Sequence, residues 1–150
     1  MERVSVAGVW GLSSIEISFP SGEKIFPLGR SPKGLLIYME NGYMSGIMSS
    51  DNRPSVSSAA LAGLTEAELV SIGKGFNAYV GRYWQDHKYI RHSVEVSYLP
   101  NLMRKKNHLV KYTINDDRLL LQSNIPGNAG SDQGLLSISW EWKEKTTGDS

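Results

Sequence analysis

Closely spaced turn signals divide this chain into short segments, and they constrain its fold more than any other feature. Proline, glycine, asparagine and aspartate recur at short intervals, and the segments between them are rich in valine, isoleucine, leucine, tyrosine and tryptophan. This pattern is typical of a β-sandwich or a β-barrel rather than of alternating strands and helices. The expected strands are residues 9–19, 23–26, 34–39, 43–48, 76–84, 88–98, 109–114, 118–123 and 135–142.

One segment departs from the strand pattern. Thr65 and Glu68 form the capping box of a short helix that Gly73 and Gly75 end. The polar residues 49–63 before it could cover a barrel mouth as a lid, because long loops in compact domains are often functional. A sheet of eight or nine strands tends to close, since closure removes its exposed edges. We therefore expect an all-β fold, a closed antiparallel barrel of 8–9 strands with one short helix, in a single domain over residues 1–150.

Composition and charge exclude several classes of protein. A formal net charge of +1 gives no field that would attract nucleic acid or an anionic membrane. The chain has no cysteine, which excludes disulfides, thiolate nucleophiles and cysteine-ligated metals, and its three histidines lack the spacing of a metal site. No redox or nucleotide cofactor is implied. The N-terminal residues lack a secretory pattern and no apolar stretch approaches the roughly 20 residues of a membrane span, so we expect a cytoplasmic protein.

The turn at residues 86–87 predicts the orientation of one histidine. In a two-residue hairpin, residues that face each other across the strands share a side of the sheet. The side that carries Ile90, Val94 and Val96 is apolar, so we expect it to face the barrel interior. His92 then points inward between Tyr79 and Tyr83. The expected pairs are Tyr83 with Ile90, Gly81 with His92 and Tyr79 with Val94.

Other turns extend the predicted interior. A turn at residues 116–117 pairs Ile114 with Leu119 and Tyr112 with Leu121. A turn at residues 41–42 would place these residues inside: Leu35, Ile37, Met39, Met44, Gly46 and Met48. In the last strand, one face carries Leu136, Ile138, Trp140 and Trp142. The first strand is ambiguous, because one phase buries Val9, Ile15, Ile17 and Phe19 and the other buries Trp10, Leu12, Ser14 and Glu16. A bulge between its halves would reconcile the two phases.

Six short motifs resemble those of the lipocalin-like domain family. Their order and spacing match over nearly the whole chain: G-x-W-x-L-x-S at residues 8–14, Tyr38 followed by GYMS at 42–45, Y-x-G-x-Y at 79–83, H-x-V-E at 92–95, D-R-L-x-L at 117–121, and Trp140. The resemblance implies a lipocalin-like barrel of a kind found in microbial and fungal secondary-metabolite pathways. Such barrels act there as cofactor-independent cyclases or isomerases, or as binders. No catalytic residue is carried over by the resemblance.

The expected interior is apolar with a few polar groups, which is how ligand pockets are built. His92 is the candidate acid–base group, because an imidazole both gives and takes protons near neutral pH, with Tyr83 and Tyr79 as partners. We expect His87 and His108 to be solvated. The candidate substrate-binding residues are Tyr112, Met44, Met48, Trp140, Val94, Leu121 and Glu16.

Three functions stay open at this point. The first is a cofactor-independent isomerase or cyclase for a hydrophobic polyketide- or terpenoid-type metabolite, acting by acid–base catalysis and by holding the substrate in a reactive shape. The second is a carrier that only shields a small apolar ligand. The third is a solidly packed barrel that serves as an interaction domain, with a homodimer through exposed strand faces as one form of it.

Overall fold

A computed structural model describes residues 4–104, 108–125 and 133–145. Its regular elements are nine strands, one α-helix and two short 3-10 segments within those ranges. The strands are β1 (Gly8–Ser18), β2 (Lys24–Ile25), β3 (Lys33–Tyr38), β4 (Tyr43–Ser49), β5 (Phe76–Gln85), β6 (Tyr89–Ser97), β7 (His108–Asn115), β8 (Arg118–Ile125) and β9 (Gly134–Lys145). Helix α1 is Glu66–Gly73, and the 3-10 segments are Leu61–Gly63 and Pro100–Arg104.

The strands form a closed antiparallel barrel. The order around the barrel is β1, β3, β4, β5, β6, β7, β8 and β9, and β9 pairs again with β1. The short strand β2 adds to the end of β1, where Ile17 pairs with Ile25. Closure leaves the eight barrel strands without a free edge, which is the physical advantage of this architecture. The predicted fold class, a closed antiparallel β-barrel with one short helix, is confirmed.

The helix begins where its capping box predicts. The N–H of Glu68 donates to Oγ1 of Thr65 at 3.2 Å, and the N–H of Thr65 donates to Oε1 of Glu68 at 3.0 Å. No residue of α1 is buried. The helix therefore does not contribute to the barrel core.

Two hairpins keep the faces that the sequence predicts. In the β7–β8 hairpin, Ile114 pairs with Leu119 and Tyr112 with Leu121, as expected. In the β5–β6 hairpin, the observed pairs are Tyr83 with His92 and Gly81 with Val94, so the predicted pairs were wrong by two residues. The side chain of Asp86 causes this shift, because its Oδ1 accepts from the N–H groups of residues 88 and 89 and moves the turn forward. A shift by two residues preserves the faces, so His92 points inward as predicted.

The β3–β4 hairpin has the opposite outcome. The N–H of Gly42 donates to the carbonyl of Met39 and Tyr38 pairs with Met44, which makes a three-residue loop in place of the expected two-residue turn. Gly42 has a φ of +95°, as the third residue of such loops requires. The odd shift reverses β3, so the prediction for this strand was wrong. Leu36 and Tyr38 are fully buried, while Leu35, Ile37 and Met39 face outward.

Bulges decide two further orientations. Register shifts in β1 between Val9 and Trp10 and between Leu12 and Ser14 reconcile its two apolar phases, so that Trp10 and Ile15 are both buried. A register shift beside Val80 reverses which side chains face inward at the end of β6. Val96 was expected inside and is 62% exposed.

The interior differs between the two ends of the barrel. We call the end at the β3–β4, β5–β6 and β7–β8 turns the hairpin end, and the end where β4, β6 and β8 finish the loop end. The hairpin end is filled by aromatic rings: Trp10 stacks on Trp142 with ring centroids 3.3 Å apart, and its indole N–H donates to the carbonyl of Val6. The core continues through the fully buried Leu36, Tyr38, Ile90, Leu119 and Trp140.

Candidate functional site

A cavity of about 120 Å³ occupies the loop end of the barrel. Its walls come from strands β4 to β9, at the end where β4, β6 and β8 finish and β5, β7 and β9 begin. The wall is apolar for the most part. The lining residues are Met48, Asn77, Tyr79, His92, Val94, His108, Val110, Leu121, Ser123, Leu136 and Ile138.

His92 lies between this cavity and the packed core. Its side chain is buried, and its Nε2 is 2.8 Å from the hydroxyl oxygen of Tyr38. Burial, reinforced by the neighbouring His108, lowers the pKa of His92 from 6.5 to about 3. The imidazole is therefore neutral at physiological pH, since the cost of desolvation falls on its charged form.

Tyr38 holds the other side of this hydrogen bond. It is fully buried, and burial together with Tyr79 and Tyr83 raises the pKa of its hydroxyl well above 10. Its hydroxyl has no second hydrogen-bond partner in the described part of the chain. We therefore assign the O–H of Tyr38 as the donor to Nε2, which leaves the proton of His92 on Nδ1. This arrangement fixes both the ring orientation and its tautomer.

Strand β5 supplies two polar side chains to the cavity wall. Tyr79 lies over Gly46 of β4, where a Cβ atom would come within 2.7 Å of the ring carbon Cζ, so only glycine leaves room for the phenol. Burial raises the pKa of Tyr79 to about 12, which keeps its hydroxyl protonated. Asn77 is the preceding inward position, and its Oδ1 is shielded from water without a hydrogen-bond partner. Neither side chain forms a hydrogen bond with the residues that the structure describes.

His108 is a cavity residue that sequence reasoning placed in solvent. It pairs with His92 across β6 and β7, so the two imidazoles are neighbours on one face. The expectation of a solvated His108 was wrong because the connection between these strands contains a 3-10 segment and no short turn from which to count. Asn77 was missed although a signal existed, since it stands two residues before Tyr79 and strand alternation puts both on one side.

The structure brings together about half of the predicted site residues. His92, Tyr79, Met48, Val94 and Leu121 all line the cavity. Their roles toward a ligand stay predictions.

Four predicted site residues lie away from the cavity. The hydroxyl of Tyr83 donates to the carbonyl of Met39, and its ring packs on Tyr38 at 4.6 Å between centroids. Tyr112 donates its hydroxyl proton to the carbonyl of Asp86, at the hairpin end. Met44 and Trp140 are buried in the core. Tyr83 does pair with His92 across β5 and β6, but the reversed β3 brings Tyr38 inside, and the hydroxyl of Tyr38 forms the hydrogen bond with His92.

Glu16 was predicted to bind substrate and does not face the interior. Its carboxylate forms an ion pair with Lys24 at 3.4 Å, on the outer side of the barrel. The bulge after Leu12 reverses the phase of β1 and turns residue 15 inward and residue 16 outward. The predicted inward orientation of Glu16 was therefore wrong.

The long segment before β5 adds nothing to the cavity wall as far as the structure describes it. No residue of the segment 49–75, the predicted lid and its helix, is among the lining residues. The described ranges hold no cluster of three or more residues suited to a metal ion. No helix in those ranges is long and apolar enough to cross a membrane.

Comparison with known proteins identifies a family. A family model described as a lipocalin-like domain matches residues 7–142, which covers the barrel strands except the last three residues of β9. The comparison with curated proteins found no match.

Proposed function

The chain belongs to the lipocalin-like domain family, and from that premise we propose that it encloses a small, largely apolar molecule and rearranges it as a cofactor-independent isomerase or cyclase. The observation that carries this proposal is the loop-end cavity, an apolar hollow with a neutral imidazole and a phenol in its wall. Pockets for small molecules combine apolar walls and a few placed polar groups in this way.

The cavity volume limits what is enclosed. A cavity of roughly 150 Å³ accommodates one benzene ring, and the loop-end cavity measures about 120 Å³. We expect the enclosed part of the ligand to be about one small ring. A larger polyketide- or terpenoid-type metabolite would place one ring or chain end inside and extend beyond the loop end.

The low pKa of His92 determines the chemistry that we propose. An imidazole with a pKa of about 3 is a poor proton acceptor at neutral pH. It can serve as a neutral hydrogen-bond donor through Nδ1–H, and the hydroxyl of Tyr79 is a second donor. Two such donors would stabilise negative charge that develops on a carbonyl or enolate oxygen. The substrate would also be held folded in the cavity, which favours ring closure within the substrate: an enol carbon adds to the carbonyl carbon of the same molecule, and the enol proton passes to the carbonyl oxygen.

A carrier is the second candidate function. The observation that favours it is again the low basicity of His92, because binding needs no proton transfer. In a carrier the same cavity would shield its ligand and release it unchanged. For either function we propose a role in secondary metabolism, as the family resemblance implies, and a cytoplasmic location.

Turnover separates the two candidates. The ligand that copurifies with the protein would be identified by mass spectrometry, then incubated with wild type, Tyr79→Phe and the control Tyr43→Phe, whose ring is on the outer surface. An enzyme forms a new product, and loss of one donor in Tyr79→Phe slows it by about tenfold to a hundredfold while Tyr43→Phe does not. Recovery of the unchanged ligand from all three proteins would establish a carrier.

A further inference from the structure

Among the described lining residues of the loop-end cavity, strands β5 to β8 carry polar side chains, whereas β4 and β9 carry only apolar ones. Asn77 and Tyr79 lie on β5, and β9, which stands four strands away around the closed barrel, contributes Leu136 and Ile138. In a barrel of eight strands, positions four strands apart face each other. A ligand in the cavity therefore meets Asn77 and Tyr79 on one side and the aliphatic side chains of β9 on the opposite side.

Asn77 needs a hydrogen-bond donor. Its Oδ1 is shielded from water and has no partner in the described part of the chain. Buried amide oxygens are almost always paired, so an unpaired one beside a cavity calls for an explanation. The terminal torsion of asparagine is soft, so the carboxamide can turn toward a ligand. A donor on that ligand would satisfy the oxygen.

Tyr79 needs a hydrogen-bond acceptor. Its hydroxyl is protonated and forms no hydrogen bond to the residues that the structure describes. A carbonyl or ether on the ligand could accept from Tyr79 but would leave the oxygen of Asn77 unpaired. A hydroxyl group can accept from Tyr79 and donate to Asn77.

We infer that the cavity selects a small ring that carries a hydroxyl group, phenolic or enolic, with that hydroxyl directed toward Asn77 and Tyr79 and the ring packed against β9. This inference rests on the proposed function, because it names the ligand class of the same cavity. Asn77 becomes a specificity-determining residue that no sequence motif marks.

Toluene and phenol test the inference, because they have nearly the same shape and differ by a methyl group and a hydroxyl. The measurement is the ratio of their dissociation constants, determined by ligand-observed NMR titration of wild type, Asn77→Leu and the control Asn124→Leu. Asn124 is an exposed asparagine near the same end of the barrel. We expect Asn77→Leu to shift the ratio toward toluene by about tenfold, the value of one hydrogen bond, and Asn124→Leu to leave it unchanged.

Each outcome has a distinct meaning. If both compounds bind wild type and their ratio is the same in Asn77→Leu, the inference is overturned while ligand binding stands. If neither compound binds wild type, the proposed function itself fails. Should Asn77→Leu not fold, Tyr79→Phe replaces it, because it removes only one oxygen and keeps the ring over Gly46. The same shift toward toluene is expected there, and an unchanged ratio overturns the inference.

Discussion

The two ends of the barrel treat their polar side chains differently. At the hairpin end, aromatic hydroxyl and indole groups are paired: Tyr83 donates to Met39, Trp10 donates to Val6, and Gln85 joins the backbone of Val4 to the hydroxyl of Tyr112. At the loop end, the side chains of Asn77 and Tyr79 line a cavity and have no hydrogen-bond partner among the described residues. The rings at one end fill the interior, and those at the other end leave about 120 Å³ unfilled.

This difference separates stability from binding along the barrel axis. Buried polar groups that are fully paired rigidify a core, whereas unpaired groups are costly unless a ligand or water completes them. The buried indole N–H of Trp140 is an exception within the core, since it has no hydrogen-bond partner among the described residues. We expect substitutions at the hairpin end to lower stability and substitutions at the loop end to change what the cavity accepts.

The largest effect is expected for Trp10→Ala. Trp10 is fully buried and stacks on Trp142, so its removal opens a large void at the hairpin end. The free energy of unfolding, measured by urea denaturation, should fall by about 3–5 kcal/mol. A loss below about 1 kcal/mol would contradict the assignment of stability to this end.

Leu121→Ala is the counterpart at the loop end. Leu121 is buried but lines the cavity, so one side of it already lacks packing partners. We expect a loss of about 2 kcal/mol, at the low end for leucine, and a cavity that admits a larger ring than in wild type. Urea denaturation and titration with toluene and its alkylated derivatives measure the two effects. If Leu121→Ala lowered the free energy of unfolding as much as the loss of a fully packed leucine and the cavity accepted no larger ligand, the two ends would not differ.

The sequence predicted the inward face of one hairpin correctly and that of another wrongly, and the period of two along a strand explains the difference. A register error of two residues in the β5–β6 hairpin left His92 inside, because side chains alternate with a period of two. An error of one residue in the β3–β4 hairpin predicted Tyr38 to face outward. The hydrogen-bond partner of His92 was therefore missed, because that partner is Tyr38. The dipeptide Asn41–Gly42 indicates a hairpin but does not specify whether its loop has two or three residues.

The long connections between strands made the orientation of the remaining site residues unpredictable from the sequence. His108 follows a connection without a tight turn, so no local signal relates its phase to that of His92. The bulges in β1 and near Val80 also depend on how neighbouring strands pack and not on the local pattern. Closed topology and apolar alternation were accessible from the sequence, whereas the partners of individual polar groups depend on register across the whole barrel.

The pH dependence of stability tests the boundary between the two ends, where His92 lies. Its folded-state pKa is about 3 against 6.5 for the free side chain, so protonation favours the unfolded chain. Stability is therefore unaffected by this group above pH 6.5. As the pH falls from 6.5 toward 3, the free energy of unfolding decreases by up to about 1.4 kcal/mol per pH unit. In urea denaturation, the difference in stability between wild type and His92→Gln should shift against wild type as the pH falls from about 7 to about 5. A constant difference would mean that His92 titrates like a solvated imidazole.

Two tyrosine substitutions give the smallest expected effects and the most direct comparison of the ends. Tyr83→Phe removes the hydroxyl that donates to Met39, leaves that carbonyl with only the N–H of Gly42 as donor and should lower the free energy of unfolding by about 1 kcal/mol. Tyr79→Phe removes a hydroxyl that has no hydrogen-bond partner in the described ranges, so stability should stay the same or rise, while affinity for phenol falls by about tenfold. The same atom is deleted from the same strand in each variant, four residues apart, and only its surroundings differ. Urea denaturation and phenol titration of both proteins should therefore give reciprocal results, and equal losses of stability would show that the hydroxyl of Tyr79 is as much a part of the core as that of Tyr83.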